Sequence, residues 1–240
     1  MQQDCLPLVA SETQTVAPAV TTDQLLFMMA SWSHDLLSNF NSIITLNELV
    51  QRDDPASVLE FVDNIQFRIQ TLQRLSKTIY QFSQVESEKI EMEDIPVRTY
   101  IKKRLHSYEI LAQRTGRHFE SELMIPDSVH ICTDSARLDL VLENLITNAV
   151  KYSPEASTII ANVRTIDDQL AITLTNSCVN MPEEYLDMIF KPYVRLDNSI
   201  PGYGIGLATC RRLCSQINGR IEATTHQNTI SFTVQLPSQA

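Results

Sequence analysis

From Asp23 onward, apolar residues recur at alternating spacings of three and four. Leu26, Met29, Ser33, Leu36, Phe40, Ile43, Asn47 and Val50 form a mostly apolar heptad seam, the pattern of a helix packed along its length. Arg52-Asp53-Asp54-Pro55 interrupts it, and the Pro is suited to the first position of a new helix. A second seam runs through Val58, Val62, Ile65, Ile69, Leu72, Ser76 and Ile79. Two long helices joined by so short a link fold back as an antiparallel hairpin. One hairpin cannot cover both seams together with Phe61, Phe67, Leu75 and Phe82. Pairing with a second copy completes a four-helix bundle, so the pattern predicts a homodimer.

Past Glu88 the period changes. Ile95-Pro96-Val97 reads as a short strand, and Tyr100 to about Gln113 as an amphipathic helix closed by Gly116. His118 to Ile125 alternates as a strand does. Ala136 to Val150 is a strongly patterned helix with Asp134 at its N-cap region. Thr158 to Thr165 and Gln169 to Thr175 are strand-like on either side of an Asp167-Asp168 turn. Gly206 to Ile217 reads as a helix, and Arg220 to Thr225 with Thr229 to Leu236 as a closing hairpin. Helices on one face of a mixed sheet make an α+β two-layer sandwich. The predicted fold is therefore an all-α helical hairpin, dimerised as a four-helix bundle, followed by that sandwich. Residues 1–20, rich in Thr, Ser, Gln, Ala and Pro without period, are expected to be a disordered arm or linker remnant. The hairpin occupies 21–90 and the sandwich 91–240, with the boundary near residues 88 to 94.

Composition narrows the partners. The 240-residue chain is 43% hydrophobic, enough for a substantial core, and carries a net charge of −10. That charge disfavours nucleic acid, whose phosphates need clustered Lys and Arg, and an anionic membrane surface. No apolar run approaches the roughly 20 residues of a membrane helix, and no basic stretch precedes an apolar one at the start. A soluble cytoplasmic protein is expected. The five cysteines (Cys5, Cys132, Cys178, Cys210 and Cys214) include no Cys-x-x-Cys. Cys210 and Cys214 share one helix face. Reduced core thiols are the expectation, since a redox or metal pair lacks further ligands at suitable spacing.

Three groups of residues carry candidate chemistry. His34 lies one residue past the seam position Ser33, so its ring points to the flank of the bundle, and its neighbour Asp35 can take a proton from it. Such a pair alone is commonly an ordinary surface pair. Asn144, Asn148 and Lys151 are spaced four and three apart and share a helix face. Two carboxamides and an ammonium suit a magnesium triphosphate: the amide oxygen ligates the hard cation and Lys meets phosphate. A solvated polar stripe is the simpler alternative, but Leu142, Leu145, Ile146, Ala149 and Val150 around it make the stripe partly buried. Third, Gly202-Tyr203-Gly204-Ile205-Gly206-Leu207 holds three of the five glycines in the chain, just ahead of a helix. Glycines let backbone approach phosphate, and a helix N-terminus favours its charge. A dinucleotide fingerprint would need a preceding strand and wider glycine spacing.

In this order, over residues 25 to 237, these elements resemble the bacterial sensor histidine kinase family. Ser33-His34-Asp35-Leu36 is similar to the start of its H-box, Asn144 to Ser153 to its N-box, Ile189-Phe190-Lys191-Pro192-Tyr193-Val194-Arg195 to its F-box and Gly202 to Leu207 to its second glycine box. The resemblance implies a gyrase-type ATP-binding sandwich with ATP and Mg2+ as cofactors. It implies that Asn148 ligates magnesium with Asn144 in support, that Lys151 meets phosphate, and that Tyr152 lies near the nucleotide. It gives Gly202, Gly204 and Gly206 the phosphate-side loop, followed by Leu207, and Arg195 the γ-phosphate. His34 would accept the phosphoryl group, which a response-regulator receiver domain then takes onto an Asp.

The chain departs from the family at three places. Leu37 and Asn39 stand where the H-box has Arg and Pro, so that helix lacks the Pro bend. Ser38, or Asn39, would position water for removing phosphate from the partner. In the first glycine box Asn176-Ser177-Cys178-Val179-Asn180 replaces Asp-x-Gly-x-Gly. Asn176 still accepts a hydrogen bond from adenine but carries no charge, which weakens that contact. The third departure is a lid shorter than is usual between Arg195 and Gly202. The expected function is autophosphorylation of His34 and phosphotransfer to a response regulator, with possible phosphatase activity. The alternative is a degenerate scaffold that binds ATP poorly. A protein-serine kinase of the anti-sigma type shares the sandwich but lacks a His-bearing hairpin.

Overall fold

The computed structural model describes residues 37, 40, 41, 44, 65, 69, 89–178, 181–197, 200 and 204–239. The chain divides into two compact units, one over Pro18–Glu88 and one that contains Lys89–Ala240. In the first unit Leu37, Phe40, Asn41, Ile44, Ile65 and Ile69 are helical. Of the seam positions among them, Phe40 is 52% and Ile69 45% exposed, and Ile65 is half-buried. The rest of the hairpin, its turn and its dimer contacts lie outside the described residues.

The second unit is an α+β sandwich. It runs β1 (Glu93–Pro96), α1 (Val97–Arg114), β2 (His118–Met124), β3 (His130–Thr133), α2 (Ser135–Tyr152), β4 (Thr158–Ile166), β5 (Gln169–Ser177), two short 3-10 turns (Glu183–Tyr185 and Met188–Phe190), α3 (Gly206–Gln216), β6 (Arg220–His226) and β7 (Thr229–Pro237). The main sheet has the order β2-β4-β5-β7-β6, and β1 pairs with β3 in a separate two-stranded ribbon. Only β2 and β4 run parallel; the other pairs are antiparallel. The sheet is thus mixed, as the pattern predicts. The β3 strand is an addition to that pattern, and Val97 opens a helix instead of ending a strand.

Alternation along the strands decides which face is covered. Ile159, Ala161, Val163, Leu170, Ile172, Leu174, Phe232, Val234 and Leu236 are all within 5% of complete burial. They are taken two by two in sequence and so lie on one face. Contacts of α1 with β2, of α2 with β5 and of α3 with β6 cover it. The opposite face is polar: Thr173 and Thr233 are hydrogen-bonded at 3.0 Å, and Thr175 and Ser231 at 2.7 Å. Cys210 and Cys214 sit in the covered core as free thiols. Burial pushes the Cys214 thiol up to about 12 and the Cys210 thiol well above its ordinary value, so neither supplies a thiolate near neutral pH. Among the described residues no helix is long and apolar enough to cross a membrane.

Helix α2, which carries the polar stripe, is capped as predicted. The Asp134 carboxylate accepts the Arg137 N–H at 2.9 Å and, from outside the helix, the Glu91 N–H at 3.0 Å. The Arg137 guanidinium pairs with it and also reaches Gln216 on α3 at 3.2 Å. Both members of the ion pair are buried. Burial opposes ionisation of Asp134, but the two backbone N–H groups and Arg137 outweigh it and hold the carboxyl below the usual range. A second tie joins α1 to α2: Arg104 grips Asp139 with two bonds of 2.7 Å, and the Tyr100 hydroxyl donates to the same carboxylate at 2.5 Å.

Asp134→Ala should lower the unfolding free energy at pH 7 by about 3 kcal/mol, because it removes the cap and strands a buried guanidinium. A carboxyl with a depressed folded pKa stabilises above its unfolded value of about 3.9. That contribution is lost as pH falls through the folded value. Urea denaturation of native and variant chains should therefore give curves that differ at pH 7 and converge in acid.

Candidate functional site

The apolar stripe of α2 fixes its rotation. Leu138, Val141, Leu142, Leu145, Ile146 and Ala149 are all at least 98% buried, which turns Asn144, Asn148 and Lys151 to the rim of the layer. The side chain of Asn144 donates through Nδ2 to the Leu140 carbonyl at 2.9 Å, leaving Oδ1 as its outward group. That oxygen meets the start of α3. A β-carbon placed on Gly206 would lie 3.4 Å from Oδ1 of Asn144 and 3.9 Å from Nδ2 of Asn148. The missing side chain of Gly206 thus leaves a cradle between a helix N-terminus and two carboxamides. Leu207 follows in the first turn of α3, half-buried.

The chain just before α3 is held by the segment that succeeds the 3-10 turns. Gly204 has φ +68° and sits on the backbone of Tyr193 and Val194; a β-carbon there would be 2.8 Å from the Val194 oxygen. The Tyr193 N–H donates to the Gly204 carbonyl at 2.8 Å. Only glycine satisfies both the left-handed backbone and this approach. Two residues past Tyr193, Arg195 donates to the Ile200 carbonyl at 2.7 Å.

At the C-terminal end of α2, Lys151 lies over the Tyr152 ring, 4.9 Å from its centroid. Burial raises the Tyr152 phenol, Arg195 pulls it down and Asp197 pushes it up, so residues 195–197 are within electrostatic reach of this end. Lys151 and Tyr152 thus sit together at the C-terminal end of α2, the helix that carries Asn144 and Asn148, with Arg195 and Asp197 within electrostatic reach of Tyr152. Asn176 is 2% exposed at the end of β5 on the helix-facing side. Its Nδ2 donates to the Ser177 carbonyl at 2.8 Å, which turns the amide to its own strand rather than to the cradle. Burial raises the Cys178 thiol, and its N–H is held by the Asn228 carbonyl at 2.8 Å. His34, Asp35, Ser38, Asn39, Asn180 and Gly202 lie outside the described residues.

A cavity of about 340 Å³ lies elsewhere, between β1 and the first turns of α1. Its walls set Glu93 and Asp94 against Lys103, and Arg104 is already committed to Asp139. It offers a polyanion no net attraction, so the cradle beside α2 is the better candidate. Sequence reasoning passes over Arg211 of α3, whose guanidinium lies 4.2 Å from the Phe190 ring centroid. Nothing in the local pattern marks it, since its partner is 21 residues away.

Known proteins are similar to this chain over the same stretch. Residues 133–240 match the family described as histidine kinase-, DNA gyrase B- and HSP90-like ATPases. The chain is 28% identical to the aerobic respiration control sensor protein ArcB of Escherichia coli (strain K12) over 219 residues, 87% of this chain and 28% of that protein. It thus spans little more than a quarter of that relative's length. Among solved structures, histidine kinase ThkA in complex with response regulator protein TrrA superposes with a TM-score of 0.72 at 21% identity, covering 90% of this chain and 62% of that one. Full-length ShkA in complex with AMPPNP gives 0.65 at 18% identity, covering 92% and 47%. At these identities the two structures show a shared fold.

The two glycines should respond differently to alanine. Gly204→Ala forces a left-handed alanine into backbone and should cost about 1–3 kcal/mol, read as a lower melting temperature. Gly206→Ala meets only ordinary contacts and should melt as the native chain does.

Proposed function

We propose that this chain, a relative of sensor histidine kinases with a gyrase-type ATPase domain over residues 133–240, binds magnesium ATP and phosphorylates its own His34. The observation that carries the reading is the cradle in which Asn144 and Asn148 face Gly206 at the head of α3. The Asn144 Oδ1, the Asn148 carboxamide and a helix N-terminus, brought to one place, suit a metal–triphosphate in chemistry. Asn148 is the residue to ligate magnesium, supported by Asn144. The bound ion would offset charge on the phosphates. Lys151 and Arg195 would hold phosphate oxygens, Tyr152 would border the nucleotide, and Gly202, Gly204, Gly206 and Leu207 would shape the loop around it.

In the proposed transfer a His34 ring nitrogen attacks the γ-phosphorus in line. The bond from that phosphorus to the bridging oxygen breaks and ADP leaves. Asp35 would accept the N–H of the other ring nitrogen and so fix the reactive tautomer. An Asp of a response-regulator receiver domain would then take the phosphoryl group, with Ser38 or Asn39 positioning water for its later removal. Homodimerisation through the hairpin would bring two such histidines into one bundle. The complex of ThkA with a response regulator supports this choice of partner.

A second reading is a scaffold with weak ATP binding. Asn176 spends its amide on Ser177, and the backbone of Cys178 is tied to Asn228, where the family resemblance calls for glycine freedom. Calorimetry with a non-hydrolysable ATP analogue separates the two, since a scaffold takes up no analogue even at millimolar concentration.

With labelled ATP the native chain should acquire acid-labile phosphate. His34→Ala should acquire none, and Asn148→Ala should label roughly a hundredfold more slowly. Label retained by His34→Ala, or acid-stable label, defeats the histidine mechanism.

A further inference from the structure

The side of α3 away from the cradle carries an arrangement that the site does not explain. Phe190 closes the second 3-10 turn and is 4% exposed. One edge of its ring meets Phe232 of β7 in a T-shaped contact, with centroids 6.3 Å apart at 84°. Its open face is covered by the Arg211 guanidinium, 4.2 Å from the ring centroid. The same guanidinium lies 3.6 Å from Asp187, the residue that precedes this 3-10 turn. Arg211 therefore touches both ends of the turn at once.

The position of that turn governs the residues downstream of it. Lys191 is hydrogen-bonded back to Met188 at 2.9 Å, and Tyr193 to Gly204 at 2.8 Å. Arg195 comes two residues later. The segment from Asp187 to Arg195 is thus attached to α3 at two points, the Gly204 contact at the head of the helix and the Arg211 contact beyond its first turn. Ile189 and Phe190 are buried and Phe190 rests on Phe232 from the sheet side, so the Arg211 contact adds the hold from the helix side that fixes the direction of the segment. Arg195 sits at the far end of this lever, and Gly206 and the two carboxamides sit at the helix head.

We infer that Arg211 is a positioning residue: by clamping Phe190 and Asp187 to α3 it sets the 187–195 segment in register with the Asn144–Asn148–Gly206 cradle, so that Arg195 and the cradle meet the same triphosphate. Arg211 does not itself touch nucleotide. The inference rests on the proposed nucleotide site and goes beyond it in naming what holds the two halves of that site together. Arginine is suited to the place because its planar cation stacks on a ring while its edge reaches a carboxylate. A Leu would keep the covering stem and lose both polar contacts.

Two measurements on the full chain test it. The first needs no nucleotide: in Arg211→Leu, tryptic cleavage after Arg195 should run about threefold faster, as expected for loss of a partly exposed cation–π contact, with the melting temperature unchanged. The second is labelling kinetics, where Arg211→Leu should raise KM for ATP about threefold and leave kcat within a factor of two. Arg211→Lys should recover part of both effects. Phe190→Leu combined with Arg211→Leu should be clearly less than additive, because the two share the ring contact and only the exposed Asp187 contact is left for Arg211 to lose once the ring is gone. Unchanged cleavage, faster cleavage without a KM change, or additive effects in the double variant would each overturn the inference. A native chain that takes up no ATP overturns the functional reading and with it the nucleotide role of Arg211, while the cleavage rates still report whether the clamp exists.

Discussion

Helix α2 can turn about its own axis only until Leu138, Val141, Leu142, Leu145, Ile146 and Ala149 meet the rest of the core. Each of the larger side chains in that stripe is worth about 1.5–3 kcal/mol when buried. A rotation of 100° would expose several of them and press Asn144 and Asn148 into the apolar layer, at roughly 2–7 kcal/mol for each amide left without a partner. Both terms point the same way, so one rotation is strongly preferred. The polar stripe is held at the rim by the packing of residues that take no part in chemistry. Asp134 and its partners then set where the helix begins, and the Arg104–Asp139 pair ties it to α1.

From that fixed rim the rest of the site is built by contact. Gly206 is near Asn144 and Asn148 because α3 packs beside α2, with the Sγ of Cys210 3.8 Å from the Val141 carbonyl. Gly204 in turn requires the Tyr193–Val194 backbone beneath it. The two glycines do different work. Gly204 is required by its own backbone conformation and by contact with another stretch of main chain. Gly206 adopts an ordinary helical conformation, and its contribution is vacant space in front of two amides.

Much of this is readable from the chain alone where the signal is local. The stripe of α2, its Asp134 cap and the Asp167-Asp168 turn, whose two residues have φ of +48° and +58°, each depend on a few neighbouring residues. The β3 strand escapes because four residues, His130 to Thr133, are too few for alternation to stand out. Pro96 reads as part of a strand and is the last residue of β1, but Val97, read with it, opens α1 with Pro96 as its N-cap. The bond from Glu91 to Asp134 and the stack of Arg211 on Phe190 are illegible for another reason. They join positions 43 and 21 residues apart, and no periodicity records such pairs. Motif order locates Asn144, Asn148, Gly204 and Gly206, but only the fold reveals that Asn144, Asn148 and Gly206 border one opening. The hairpin residues, His34 among them, rest on sequence pattern and resemblance.

A chain of net charge −10 is at first sight an unsuitable partner for a nucleotide carrying several negative charges. The objection fails on range. At physiological ionic strength the screening length is about 8 Å, so acidic residues across the domain contribute little at the cradle, and nearby groups decide the local potential. Those groups are Lys151 at the end of α2, Arg195 and the opposing Asp197 within electrostatic reach of Tyr152 beside it, and the N-terminus of α3. In the proposed site Asn144 and Asn148 would offer neutral carboxamides, where carboxylates at the same positions would set negative charge against the phosphates.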